Sequence, residues 1–115
     1  MKLEQQVTSL EISKKLKELG VKQESLFWWQ NYRSINSPWE LDDKQDKGLL
    51  PDFSCSAFTC SELGEMLKNK DTETRFDSYG WHFGWGKDMV DADTEADARG
   101  KMLIYLLENG LLKND

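Results

Sequence analysis

The sequence predicts an α+β fold in a single domain, residues 1–115: an antiparallel sheet covered by helices, with a long C-terminal helix packed on an aromatic strand. Three observations carry that expectation. Capping signatures precede apolar stretches of helical period at three places. Aromatic runs between them have strand preference. The last and longest apolar stretch carries small residues suited to lying close over bulky rings.

The first helix is signalled by Thr8 and Glu11 at capping-box spacing, with Val7 placed to staple against Ile12 and with Ile12, Leu16 and Leu19 along one face. Gly20 is expected to stop it, and the four-apart pairs Glu11–Lys15 and Lys14–Glu18 suit a solvated outer side. "SLFWWQNYR", Ser25 to Arg33, reads as a strand broken by "SINSP". Trp39 to Leu41 is its expected partner, and "DDKQDKG" reads as an exposed hairpin tip or loop.

A second, short helix follows in "TCSELGEML", where Thr59 and Glu62 repeat the capping signature and Cys60, Leu63, Met66 and Leu67 form one stripe. "TRFDSYGWHFGWG" reads as two strands turning near Asp77 to Gly80. Strand alternation places Trp81, Phe83 and Trp85 on one face of the second strand and His82 and Gly84 on the other. In the closing helix Thr94 is the cap, with Asp97 three residues on and Gly110 at the end. Ala96, Gly100, Leu103 and Leu107 share its core face, and Asp97, Lys101 and Glu108 form its wet side.

Three of these segments, "SKKLKELGVKQESLFWW", "TCSELGEML" and "EADARGKMLIYLLENGLL", resemble a group of small uncharacterised proteins of phages, prophages and mobile elements of gut bacteria. The resemblance touches the beginning, middle and end of the chain, with the closing segment the most specific. It implies an α+β domain of mobile-element origin and no catalytic residues.

The motifs for chemistry fail one by one. Cys55 and Cys60 in "CSAFTC" lack the two further ligands a zinc site needs, since His82 is the single histidine, and they read as a reduced pair. "DADTEAD" places Ala96 and Met102 where a calcium loop starting at Asp91 needs glycine and a bidentate acid, so its acids read as favourable charges at a helix start. The glycines of "GWHFGWG" alternate with rings that would obstruct a phosphate. His82 could serve Ser78 or Cys55 as a base only if the fold brought them together with a third, orienting group.

Composition narrows the function further. A net charge of −6 weighs against nucleic acid and anionic lipid as partners. The longest apolar run, "MLIYLL", is far short of a membrane span, and the N-terminus lacks a signal-peptide core, so the expected location is cytoplasmic. No metal, cofactor or catalytic residue is expected. The leading expectation is a non-enzymatic module that binds an unidentified protein partner. The alternative is a small-molecule binder or enzyme in which Trp81, His82 and Trp85 line a pocket rather than a core. A third reading, an acidic mimic of DNA, sits poorly with 15 interspersed basic residues.

Overall fold

Helix α1 spans Leu10–Glu18 and begins one residue later than its sequence signature suggests. The cap is Ser9, whose hydroxyl accepts from the Ile12 amide at 3.4 Å. Thr8, the expected cap, is fully buried and ties three segments together. Its amide donates to the Phe58 carbonyl (2.9 Å), its hydroxyl accepts from the Phe58 amide (3.1 Å), and its carbonyl accepts from Trp29 Nε1 (2.9 Å). Val7 bridges Thr59. At the other end Gly20, at φ +89°, lets its own amide reach the Lys17 carbonyl and the Val21 amide reach that of Leu16. A left-handed residue closing a helix with these two bonds needs glycine to avoid a Cβ clash. Leu16 and Val21, apposed by this turn, both enter the core.

The computed structural model describes residues 2–32, 38–67, 72–77, 80–85 and 88–110, and between 72 and 89 it describes the backbone alone. The single antiparallel sheet expected from sequence is two three-stranded antiparallel sheets. In the first, β1 (Phe27–Gln30) lies between β2 (Glu40–Asp42) and β3 (Ser54–Ala57). Trp29 stands opposite Leu41 and Cys55, so the expected pairing of the two early strands holds with a shift of one residue in the bounds of β2. In the second, β5 (Gly80–Trp85) lies between β4 (Thr72–Asp77) and β6 (Asp88–Ala92). Asp77 opposite Gly80 gives the expected hairpin, whose residues 78–79 lie outside the described residues.

Two strands have no counterpart in the sequence reading. β3 lies in a stretch to which the sequence reading gives no element, and β6 contains Asp91, one of the acids expected at a helix start. The outer edge of β3 is closed by side chains: Lys17 Nζ donates to the Ser54 carbonyl at 2.7 Å, and the Ser56 amide donates to Gln23 Oε1 at 2.8 Å. These bonds occupy groups that an exposed edge would offer to another strand.

Helix α2 (Cys60–Leu67) starts with the expected capping box. The Thr59 amide donates to Glu62 Oε1 (2.9 Å) and the Glu62 amide to the Thr59 hydroxyl (3.2 Å). Helix α3 (Glu95–Glu108), capped by Thr94 as expected, packs against α1, α2, β5 and β6. Its Ala98, Met102, Leu103 and Leu106 meet Leu16, Phe58, Leu63 and Leu67 in one buried cluster, with Val90 and Ala92 of β6 at its border. Lys101 and Glu108 are exposed, as expected of its wet side, but two other expectations change. Gly100 faces α1 rather than the aromatic strand: a Cβ there would lie 2.7 Å from Ile12 Cγ2 and 3.1 Å from Thr8 Cγ2. Asp97 is half-buried, and its Oδ1 accepts from the Ser9 amide at 2.7 Å, completing the cap of α1 from another helix. Among the described residues no helix is long and apolar enough to cross a membrane.

Candidate functional site

The residues singled out in sequence, Trp81, His82 and Trp85, fall on the middle strand of the second sheet. Their backbones pair on both sides, with His82 opposite Arg75 and Asp91, and α3 packs on the strand. Their side chains lie outside those described. Of the two nucleophiles considered for His82, Ser78 lies outside the described residues and Cys55 belongs to the other sheet.

A different site is assembled where two helix starts meet. The chain before α1, the first residue of β1 and the N-termini of α2 and α3 surround an open cleft of about 460 Å³. Phe27, half-buried, gives it an apolar wall, while Thr59, Cys60, Thr94, Asp93 and Glu95 bring hydroxyls, a thiol and acids. Glu62 holds one side in place, since Oε1 caps Thr59 and Oε2 accepts from the Leu26 amide at 3.1 Å. Glu95 lies 3.6 Å from Arg99 Nε, one turn along α3. Asp93, just ahead of the cap, is exposed and carries negative charge at the mouth.

The thiol in this cleft is not an activated nucleophile. Burial, followed by the hydrogen bond and negative charge of Glu95, pushes Cys60 up to about 12, and Arg99 only partly opposes the shift. Cys55, on β3, is pushed up to about 11 by burial against the pull of Lys17 and Lys14. Both cysteines are free. A nucleophilic cysteine needs the opposite surroundings, cationic and partly exposed. Among the described residues no group of three or more His, Cys, Asp and Glu side chains is arranged to hold a metal ion.

Sequence reasoning missed this cleft although it found both of its caps. Thr59 and Thr94 are each legible as a helix start, but no local pattern says that two starts 35 positions apart in the chain share a wall. Phe27 reads only as one ring in an aromatic strand. No family model matches the chain, and comparison with curated proteins and with solved structures gives no match.

Proposed function

We propose that the protein is a non-enzymatic interaction module, an accessory protein of a mobile element, whose cleft between the α2 and α3 starts docks an extended segment of a partner protein. The make-up of that cleft carries the reading: an apolar wall at Phe27, an acid at the mouth, and a thiol held neutral. The complementary segment has an apolar side chain beside lysine or arginine. The net charge of −6 adds long-range attraction for such a basic segment and repels nucleic acid.

Selection from a random peptide library against the immobilised protein tests the proposal, followed by fluorescence anisotropy with the enriched peptides. The expected result is enrichment of an apolar residue flanked by Lys or Arg, with affinity lost in Phe27→Ala and in Asp93→Lys. Asp93 is exposed, so the second variant leaves the fold intact. Enrichment of acidic peptides, or equal binding by both variants, would overturn the reading.

A further inference from the structure

The cleft between the α2 and α3 starts suits an apolar residue next to a base, and the chain carries such a segment just past the far end of α3. Residues 111–113 are Leu-Leu-Lys. The end of the helix leads to them at the surface, since Glu108, Asn109 and Gly110 are all exposed. Gly110 has φ +67°, and a Cβ there would meet nothing within 4 Å among the described residues. A left-handed glycine turns the chain off the helix axis, and here it does so in open space.

Geometry rules out the cleft of the same copy. That cleft lies at the N-terminal end of α3, and the 14 residues of Glu95–Glu108 advance about 21 Å along the helix axis. From Gly110 to Lys113 the backbone spans at most about 11 Å. Leu111, Leu112 and Lys113 fall short of their own cleft whatever follows them.

The cleft of another copy is within reach, and its charge is complementary. Among the described residues that line it, Asp93 and Glu95 are acids and none is a base. Glu95 already lies 3.6 Å from Arg99 Nε, whereas Asp93 is exposed at the mouth, placed for an incoming ammonium. Leu50, exposed three residues after Lys47, is a poorer occupant because it belongs to a folded turn. The Phe53 amide donates to its carbonyl at 2.9 Å, and the Gly48 amide donates to Asp46 Oδ1 at 2.9 Å.

Resting on the docking reading above, we propose that the cleft takes residues 111–113 of a second copy of this chain. The leucines lie against Phe27, and the Lys113 ammonium pairs with the Asp93 carboxylate. The contact is heterologous: each copy offers one tail and one cleft, so copies add head to tail. A partner segment then competes with the tail, and the tail's share of the clefts grows with the concentration of the protein itself.

Sedimentation velocity of the full chain from about 10 μM to about 1 mM tests it, with fluorescence anisotropy of a labelled peptide of residues 109–115. The mean mass should rise with concentration, and the peptide should bind saturably. Asp93→Lys should weaken peptide binding about tenfold or more and leave the protein monomeric. The double variant Leu111→Ser/Leu112→Ser should also be monomeric, yet bind the peptide as the wild type does, because its cleft is intact. Mixed together, these two variants should form a 1:1 dimer and stop there, since only one working tail and one working cleft remain. Adding Lys113→Glu to Asp93→Lys in the same chain should restore association. A chain that stays monomeric up to about 1 mM, or a peptide that does not bind, would overturn the proposal. If peptides selected from the random library still bind, the docking reading survives that failure; if they do not, both fall. Association that persists in both variants would place the contact elsewhere and overturn the proposal as well.

Discussion

The cluster around α3 and the side chain of Gln30 are both buried, and they are held in place by opposite means. Around α3, Leu16, Phe58, Leu63, Met102, Leu103 and Leu106 close on one another with apolar contact. Gln30, itself fully buried, is held instead by a network of hydrogen bonds. Gln30 Nε2 lies 2.8 Å from Tyr32 Oη, 2.8 Å from Asp42 Oδ2 and 3.0 Å from the Lys44 carbonyl, and Oε1 accepts from the Asp46 amide. Tyr32 in turn donates to Asp42. Apolar packing tolerates no lost volume, whereas a polar network tolerates no lost partner. The two regions should therefore fail in different ways.

The largest effect is expected on the apolar side. Leu103→Ala removes a side chain that is 2% exposed and leaves a cavity among residues of three helices, which should cost about 2–5 kcal/mol in chemical denaturation. That is a large share of the roughly 5–15 kcal/mol typical of a whole domain. Because the cluster joins α1, α2 and α3, amide exchange should accelerate in all three helices together. Acceleration confined to α3 would mean that the cluster is not one cooperative unit.

Gln30→Leu keeps the volume roughly constant and removes the polar contacts. The expected cost is smaller, about 1–3 kcal/mol, because the Asp46 amide and the Asp42 carboxylate lose a partner while remaining near water. The discriminating readout is local. Amides at Asp46 and Gly48, in the turn that Gln30 holds, should exchange faster while those of α3 are unaffected. Uniform acceleration would erase the distinction between the two regions.

How far these regions were legible in sequence follows the same division. The α3 core was readable because apolar residues at helical spacing, with Thr94 ahead and Gly110 behind, are a local pattern with a single good reading. What the helix packs against was only half readable. The strand β5 was anticipated, but Gly100 turned out to admit Ile12 of α1. β3 was missed because "SCSA" has small side chains with little strand preference, and its state is fixed by pairing with β1 and by cover on both faces. The Gln30 network left no trace in the pattern, since its partners besides Tyr32 are a carboxylate, a carbonyl and an amide 12 to 16 residues away. The cleft between the α2 and α3 starts shares this cause: it is walled by segments that tertiary pairing alone brings together.

Tyr32 gives the polar region a pH dependence that the apolar region lacks. Its hydrogen bond to Asp42, with burial and the neighbouring acids adding to it, raises the phenol from 10.0 to about 12. The neutral phenol is thus favoured by the folded state. Its contribution to stability is complete below pH 10 and fades as pH rises through about 12. The ring is 43% exposed, so water competes for the bond, and Tyr32→Phe should cost only about 0.5–1 kcal/mol at neutral pH. Absorbance of the phenolate should show one tyrosine ionising late in the wild type, and that late step should be missing from the variant. A late step that survives in Tyr32→Phe would assign the shift to another tyrosine and remove Asp42 as its cause.

The smallest effect tests the border of the apolar region. Lys101 is exposed on α3, and the pattern of charges suggests a four-apart pair with Asp97. The structure separates them: Asp97 is committed to the Ser9 amide, and Lys101 Nζ donates to the Asp91 carbonyl at 2.7 Å. Lys101→Ala therefore removes one solvent-exposed hydrogen bond between α3 and β6, at a cost of no more than about 0.5 kcal/mol. Asp97→Ala, four residues away on the same helix, should cost more, about 1 kcal/mol, because it uncaps α1. If the two were merely partners in a surface ion pair, both substitutions would cost the same small amount and raised salt would abolish the difference from wild type. A double variant whose cost equals the sum of the two single costs is the expected outcome, since the bonds share neither donor nor acceptor. Strong coupling between the two positions would instead put Lys101 and Asp97 back in contact, as the four-apart pair that the charges alone suggest.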